Sequence, residues 1–277
     1  MVKEFKSFYK EVGGNEGGKC HYNARLDTYG CGCQHDCKYC YAKSLLEFRG
    51  LWNPENPSVA SIEKVKNKIR KLPKDKVIRL GGMTDCFAPV ESRFHVTREA
   101  IKELNRCGVH YLIVTKSDLV AEYMDGLDKQ LAHIQITITC FDDDLYRRLD
   151  YEKAALPSRR IKAVEMLCKN GYDVAIRLSP FIPEFVDFDV LNGIKCDKMI
   201  VEFLRVNTWI KKWFDIDYTD YTVKQGSYRH LPLEKKLEYL KKIEGKTISV
   251  CEDEDGAYEY WKNNFNPNPN DCCNLRL

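Results

Sequence analysis

Long apolar runs are missing from this sequence. Nowhere do ~20 consecutive hydrophobic residues occur, so no membrane-spanning helix is expected. The opening residues, MVKEFKSFYKEVGG, hold no apolar h-region of a secretory leader, and a cytoplasmic protein is expected. No long polar tract and no internal repeat occurs either. Hydrophobic residues make up 44% of the 277 and charged residues 31%, which excludes disordered and collagenous chains. Nor does one sign of charge dominate. Lys and Arg number 44 against 41 Asp and Glu, a net +3. That is too small to argue for a nucleic-acid partner alone, though a local basic face stays open. A chain of this length can bury one large core, with or without an appendage.

Cysteine is what the chain has in quantity. There are 13, an odd count with no export signal, so free thiols for metals or catalysis are expected rather than a disulfide scaffold. Cys31, Cys33, Cys37 and Cys40 crowd into ten residues, and Cys251, Cys272 and Cys273 gather near the end.

Short β-rich runs alternate with helical stretches. Strands are expected at 77–80, 110–115, 134–139, 173–178, 198–204 and 246–250, and helices at 97–107, 118–131, 142–149, 158–170 and 233–243. This alternation predicts an α/β fold of parallel strands, a complete or partial TIM-type (β/α) barrel with a C-terminal extension. The predicted layout is an N-terminal extension over 1–25, glycine-rich at Gly13-Gly14 and Gly17-Gly18, a barrel core over 26–206 and a lid or extension over 207–277. In such sheets chemistry sits at the carboxyl ends of the strands, here the loops opening at Gly30, Gly81, Lys116, Thr139 and Ser179.

Thiolates spaced as Cys33-x3-Cys37-x2-Cys40 on a tight loop can converge on one metal centre. A local zinc loop with Cys31 as fourth ligand is one reading. An iron–sulfur cluster with three protein ligands and one free iron is the other. The spacing, with Tyr39 just before the last cysteine, resembles the signature of radical S-adenosylmethionine (SAM) enzymes. From Cys33 to about Pro183 the chain is similar to the spore photoproduct lyase branch. The resemblance runs through Tyr39 and Tyr41 flanking Cys40, Gly81-Gly82-Met83-Thr84-Asp85, Thr115-Lys116, Thr137-Ile138-Thr139, Pro157-Ser158-Arg159-Arg160 and Ser179-Pro180.

The resemblance implies a [4Fe-4S] cluster on Cys33, Cys37 and Cys40 whose free iron chelates the amino and carboxylate groups of SAM. One electron, from a donor such as flavodoxin or ferredoxin, then releases methionine and a 5′-deoxyadenosyl radical that takes a hydrogen atom from substrate. It further implies a cofactor site made of Tyr39, Gly81, Gly82, Thr84, Lys116, Thr137, Thr139 and Arg160. Gly81 and Gly82 would let backbone approach the methionine amino group. Lys116 or Arg160 would meet the carboxylate, the threonine hydroxyls the ribose or carboxylate, and backbone near Tyr39 the adenine. That branch carries a hydrogen-donating cysteine just before the Asp matched by Asp85. Here Gly82 holds the corresponding site, and Cys86, on the other side of Asp85, is the candidate donor, with Tyr41 as a candidate radical relay.

The remaining motifs are weaker. Cys251, Cys272 and Cys273, with Cys20 or Cys31, are candidates for a second cluster or metal, although adjacent cysteines diverge as joint ligands. Cys107, Cys140, Cys168 and Cys196 read as small buried hydrophobes. His21, His35 and His230 show no ligand spacing and read as ordinary surface groups. The stretch from Trp209 to Arg229 mixes aromatics and cations that suit nucleic acid, but interleaved Asp215, Asp217 and Asp220 favour a packed lid. The expected substrate is a nucleic acid or modified nucleobase, with a small molecule or peptide as the alternative. The rival class is a non-catalytic metal protein that binds nucleic acid.

Overall fold

The computed structural model describes residues 3–13 and 19–277; Gly14, Gly17 and Gly18 of the expected N-terminal extension lie outside these. One sheet of eight strands organises the chain: β1 (Tyr9–Glu11), β2 (Ala24–Leu26), β3 (Ile78–Leu80), β4 (Tyr111–Thr115), β5 (Ala132–Thr137), β6 (Asp173–Phe181), β7 (Lys198–Phe203) and β8 (Thr247–Val250). Spatial order follows chain order. Every neighbouring pair from β2 to β8 is parallel, and only β1 runs antiparallel, on the outer edge of β2. Parallel crossovers share one hand, so a sheet wound always in one direction curls into a barrel. The edges, β1 and β8, do not pair, which makes this a partial barrel.

Period-2 alternation separates two faces. On β4, Tyr111 and Ile113 pack in the main core with Ala100, Ile101 and Leu104 of the helix Val96–Cys107. Leu112 on the opposite face packs with Tyr22, Val77 and Cys273. That inner face carries polar groups at its foot. His133 and Lys198 both reach Asp173, while the Lys198 Nζ also donates to the Asn274 carbonyl at 2.7 Å and the Arg276 amide donates to Asp173 at 3.1 Å. Residues 271–276 thus fill the floor of the barrel, where the strands begin.

The sheet extends past the core expected at 26–206: β1 and most of β2 precede it and β8 follows it. β2 is only three residues long, too short for its alternation to stand out in sequence. The helix expected over 118–131 is broken into a turn at Leu119–Glu122 and a tighter one at Met124–Gly126, because Gly126 is a poor helix residue and Tyr172 pins the Met124 carbonyl through its hydroxyl at 2.7 Å. The lid segment packs: Phe214 is buried against Tyr39 and Phe185 at centroid distances of 5.7 and 5.8 Å. Among the described residues no helix is long and apolar enough to cross a membrane.

Candidate active site

Cys33, Cys37 and Cys40 line a cavity of about 210 Å³ inside the barrel. Their loop is made by two tight turns, Asp36 N–H to Cys33 O at 3.0 Å and Cys40 N–H to Cys37 O at 3.2 Å. Gly32 makes the approach possible: its φ is +146° and a Cβ there would stand 2.5 Å from the Asn53 carbonyl carbon, a place no side chain can take. Outside, Lys38 N–H donates to Tyr151 O at 2.8 Å and Lys153 N–H to His35 O at 2.6 Å. Cys40 caps the helix Tyr41–Phe48, so the amides of Ala42 and Lys43 face its sulfur. Those of His35 and Asp85 face Cys33.

Burial pushes all three thiols above their ordinary range, Cys33 to about 12 with the Asp85 carboxylate adding to it. Lys116 pulls the other way on Cys37 and Cys40. Thiols of this kind give up protons when a metal takes them. Among the described residues no three His, Cys, Asp or Glu side chains surround a point fit for one metal ion. A single zinc would need its thiolates drawn to ~2.3 Å each. A cluster, which offers each thiolate a different iron, asks for no such convergence.

Asp85 is the hub between this loop and the strand ends. Its Oδ1 accepts from the Thr115 hydroxyl at 2.7 Å and the Phe87 amide at 2.9 Å, its Oδ2 from the Lys116 amide at 2.7 Å and His35 at 3.1 Å. Burial would raise this carboxyl, but His35 and the surrounding donors outweigh it and hold it at about 2. Gly81, at φ +80°, leaves room for the Thr84 carbonyl, which a Cβ would meet at 2.7 Å. Asp27 takes the amides of Gly82 and Met83 at 2.6 and 3.0 Å. Lys116 reaches across to the Ser179 carbonyl at 3.3 Å. On the far wall Arg177 joins Gln135 to Glu202, which also accepts from the Ser179 hydroxyl.

Residues 28–192 match the family model for the radical SAM superfamily. The chain belongs to that superfamily. It is 32% identical over 170 residues to an uncharacterised protein of Methanocaldococcus jannaschii, covering 58% of this chain and 62% of that one. It is 21% identical over 170 residues to an uncharacterised protein of Mycobacterium tuberculosis, covering 56% and 49%. The chain thus spans between 49% and 62% of the length of these curated relatives. Among solved structures, spore photoproduct lyase complexed with dinucleoside spore photoproduct superposes with a TM-score of 0.64 at 14% identity, over 90% of this chain and 82% of that one. Streptococcus suis SuiB bound to S-adenosylmethionine superposes with a TM-score of 0.54 at 14% identity, over 82% and 50%. At these identities the likeness is one of fold.

A radical SAM chain implies a [4Fe-4S] cluster and SAM, and the residues fit both. Three desolvated soft ligands act on one another at the cavity wall, and Gly81, Gly82, Thr84, Lys116, Thr137 and Tyr41 line the same space. The side chains of four expected site residues do not line it. Arg160 is fully buried, paired with Glu152 and donating to the Thr137 carbonyl at 3.1 Å. Tyr39 turns its hydroxyl to the same Glu152 beneath Lys116, and the Thr139 hydroxyl is held by Tyr151 at 2.9 Å. Cys86 is fully buried in the main core, since Thr84 and Asp85 take the cavity side of that turn.

Cys251 and Cys272 line the cavity together with Cys20, and Cys273 lies buried beside them. The Cys272 thiol pulls Cys251 down, while Cys272 itself is pushed up by both neighbours. His35 and His230 are buried, not surface groups, facing Asp85 and Glu252. Sequence reasoning also missed Glu152, Asp27, Arg79 and Arg177. For the arginines a signal exists: Arg25, Arg79 and Arg177 are lone charges in the apolar strands ARL, IRL and AIRL.

Proposed function

We propose that the chain is a radical SAM enzyme that generates a 5′-deoxyadenosyl radical and uses it to take a hydrogen atom from a substrate. The observation that carries this reading is the opening of Cys33, Cys37 and Cys40 onto the same cavity as Gly81, Gly82, Thr84 and Lys116. A cluster held by these thiolates supplies the electron that breaks the sulfonium C–S bond. Lys116, which forms no ion pair among the described residues, is the compact cation for the SAM carboxylate. Because Asp27 occupies the Gly82 amide, it is the Gly82 carbonyl that remains for the methionine amino group. Tyr41, whose hydroxyl is 3.4 Å from that carbonyl and whose ring lies under Arg205, orients the site from one side and is the proposed radical relay.

The substrate proposed is a nucleic acid or modified nucleobase. The spore photoproduct lyase structure, which holds a dinucleoside photoproduct, favours this choice; SuiB bound to its precursor peptide favours a peptide as the second. A flavodoxin- or ferredoxin-like protein is the proposed electron donor. Cys251, Cys272 and Cys273, with Cys20, are proposed as ligands of a second cluster or metal, because Cys20, Cys251 and Cys272 share the cavity wall and Cys273 lies beside Cys272.

The test is 5′-deoxyadenosine formation by anaerobically reconstituted protein with SAM and dithionite, beside Cys33→Ala. Product from the wild type alone is expected. A colourless protein that holds zinc and forms no product would overturn the reading.

A further inference from the structure

Among the described residues Arg79 forms no ion pair. It lies in the middle of β3 and pairs in register with Arg25 of β2, so two guanidiniums share one level of the barrel interior on strands ~4.8 Å apart. Like charges side by side on neighbouring strands repel unless something lies between them. Arg25 has the buried Asp27 carboxylate acting on it. Among the described residues the Arg79 guanidinium has no hydrogen bond and no ion pair, and its Nε is shut off from solvent without a partner. Arg79 is partly buried on the cavity wall, where water screens its charge less than at an open surface.

The excess extends to the cavity wall. Among the described residues lining it, seven are Lys or Arg and four are Asp or Glu. Lys19 is paired with Asp255, Arg177 with Glu202 and Arg205 with Asp253. Arg79 and Lys116 serve different neighbourhoods: Lys116 acts on Cys37 and Cys40, Arg79 on Cys20 and Cys251. Arg79 also stands two residues, or ~7 Å along the strand, below the strand end at Gly81. A planar fork at that depth matches a carboxylate or phosphate through paired N–H···O bonds.

We propose that Arg79, with Arg25 alongside, anchors an oxyanion group of the substrate, a carboxylate or a phosphate, below the level of the cysteine loop. The proposal rests on the enzyme reading above and narrows its substrate to an anion that carries its charge several bonds from the reacting carbon. Cationic and wholly apolar substrates are excluded.

The experiment is equilibrium dialysis of cluster-loaded wild type, saturated with SAM so that Lys116 is engaged, against radiolabelled orthophosphate and, separately, acetate. Saturable binding of one anion is expected, weakened at least ~10-fold in Arg79→Gln, less in Arg79→Lys, and unchanged in the exposed-site control Arg93→Gln; the preferred anion identifies the group. Absence of binding to the wild type, or equal binding by Arg79→Gln, overturns the proposal. 5′-Deoxyadenosine formation by the same wild-type preparation is scored separately. Product without anion binding overturns the anchor alone, and anion binding without product overturns the enzyme reading alone.

Discussion

His35 Nε2 lies 3.1 Å from Asp85 Oδ2, and through this contact the cysteine loop is fastened to the turn after β3. The same carboxylate takes the Thr115 hydroxyl and the Lys116 amide, so one side chain sets the positions of three segments around the cavity.

Asp85→Asn should therefore loosen all three. A loss of about 2–4 kcal/mol at pH 7 is expected, with lower iron content after reconstitution. Asp85 is held at about 2 in the folded chain and sits near 3.9 when unfolded, so its contribution is complete above pH ~4 and disappears as pH falls towards 2. Urea unfolding at pH 7, 4 and 3 checks this. The gap between wild type and Asp85→Asn must narrow with acid; a constant gap would remove the electrostatic account.

Arg160 and Glu152 form a buried pair. Arg160→Met leaves the carboxylate uncompensated and should cost about 3–5 kcal/mol, whereas the double change with Glu152→Met should recover much of it. A double-mutant cycle in urea measures the coupling. Additive losses would show that the two side chains do not depend on each other.

Each of Cys33→Ala, Cys37→Ala and Cys40→Ala should abolish the iron site they share, while Cys86→Ala keeps its iron and loses about 1–2 kcal/mol as a small core cavity. Iron and sulfide analysis with unfolding curves separates the two classes. Loss of iron in Cys86→Ala would return that thiol to the cavity.

Gly81→Ala and Gly82→Ala should part company. The first places a Cβ 2.7 Å from a backbone carbonyl at φ +80°, the second 2.6 Å from the flexible Arg25 side chain. A stability loss of about 1–3 kcal/mol is expected for Gly81→Ala and a smaller one for Gly82→Ala. Thermal unfolding of the two variants decides it, and equal losses would contradict the strained turn.

The strands from β4 to β7 were legible because runs of five or more β-rich residues carry their own periodicity. The cysteine loop was legible because the Cys33-x3-Cys37-x2-Cys40 spacing resembles a family signature. Other features depend on contacts that no local pattern records. Glu152 gathers Arg160, Tyr39 and Thr139 from three separate segments. Arg160 occupies the position the family resemblance indicates, yet its side chain folds back onto Glu152. Cys86 stands one residue past Asp85, and that single step places its side chain in the core while Thr84 and Asp85 line the cavity. His35 resembles a surface loop residue until the chain from Thr84 to Phe87 closes over it.

The floor of the barrel bears on how the protein is made. Strands β2 to β7 follow chain order, so each can join its predecessor as it leaves the ribosome. Asp173 and Lys198, however, wait for Asn274 and Arg276, and Tyr22 waits for Cys273, more than 200 positions downstream. Contacts of such long range form late. Because Cys272 belongs to the cavity wall, iron delivered during translation would meet an unfinished vessel. The cavity wall is accordingly complete only when residues 271–276 have packed against the beginnings of the strands.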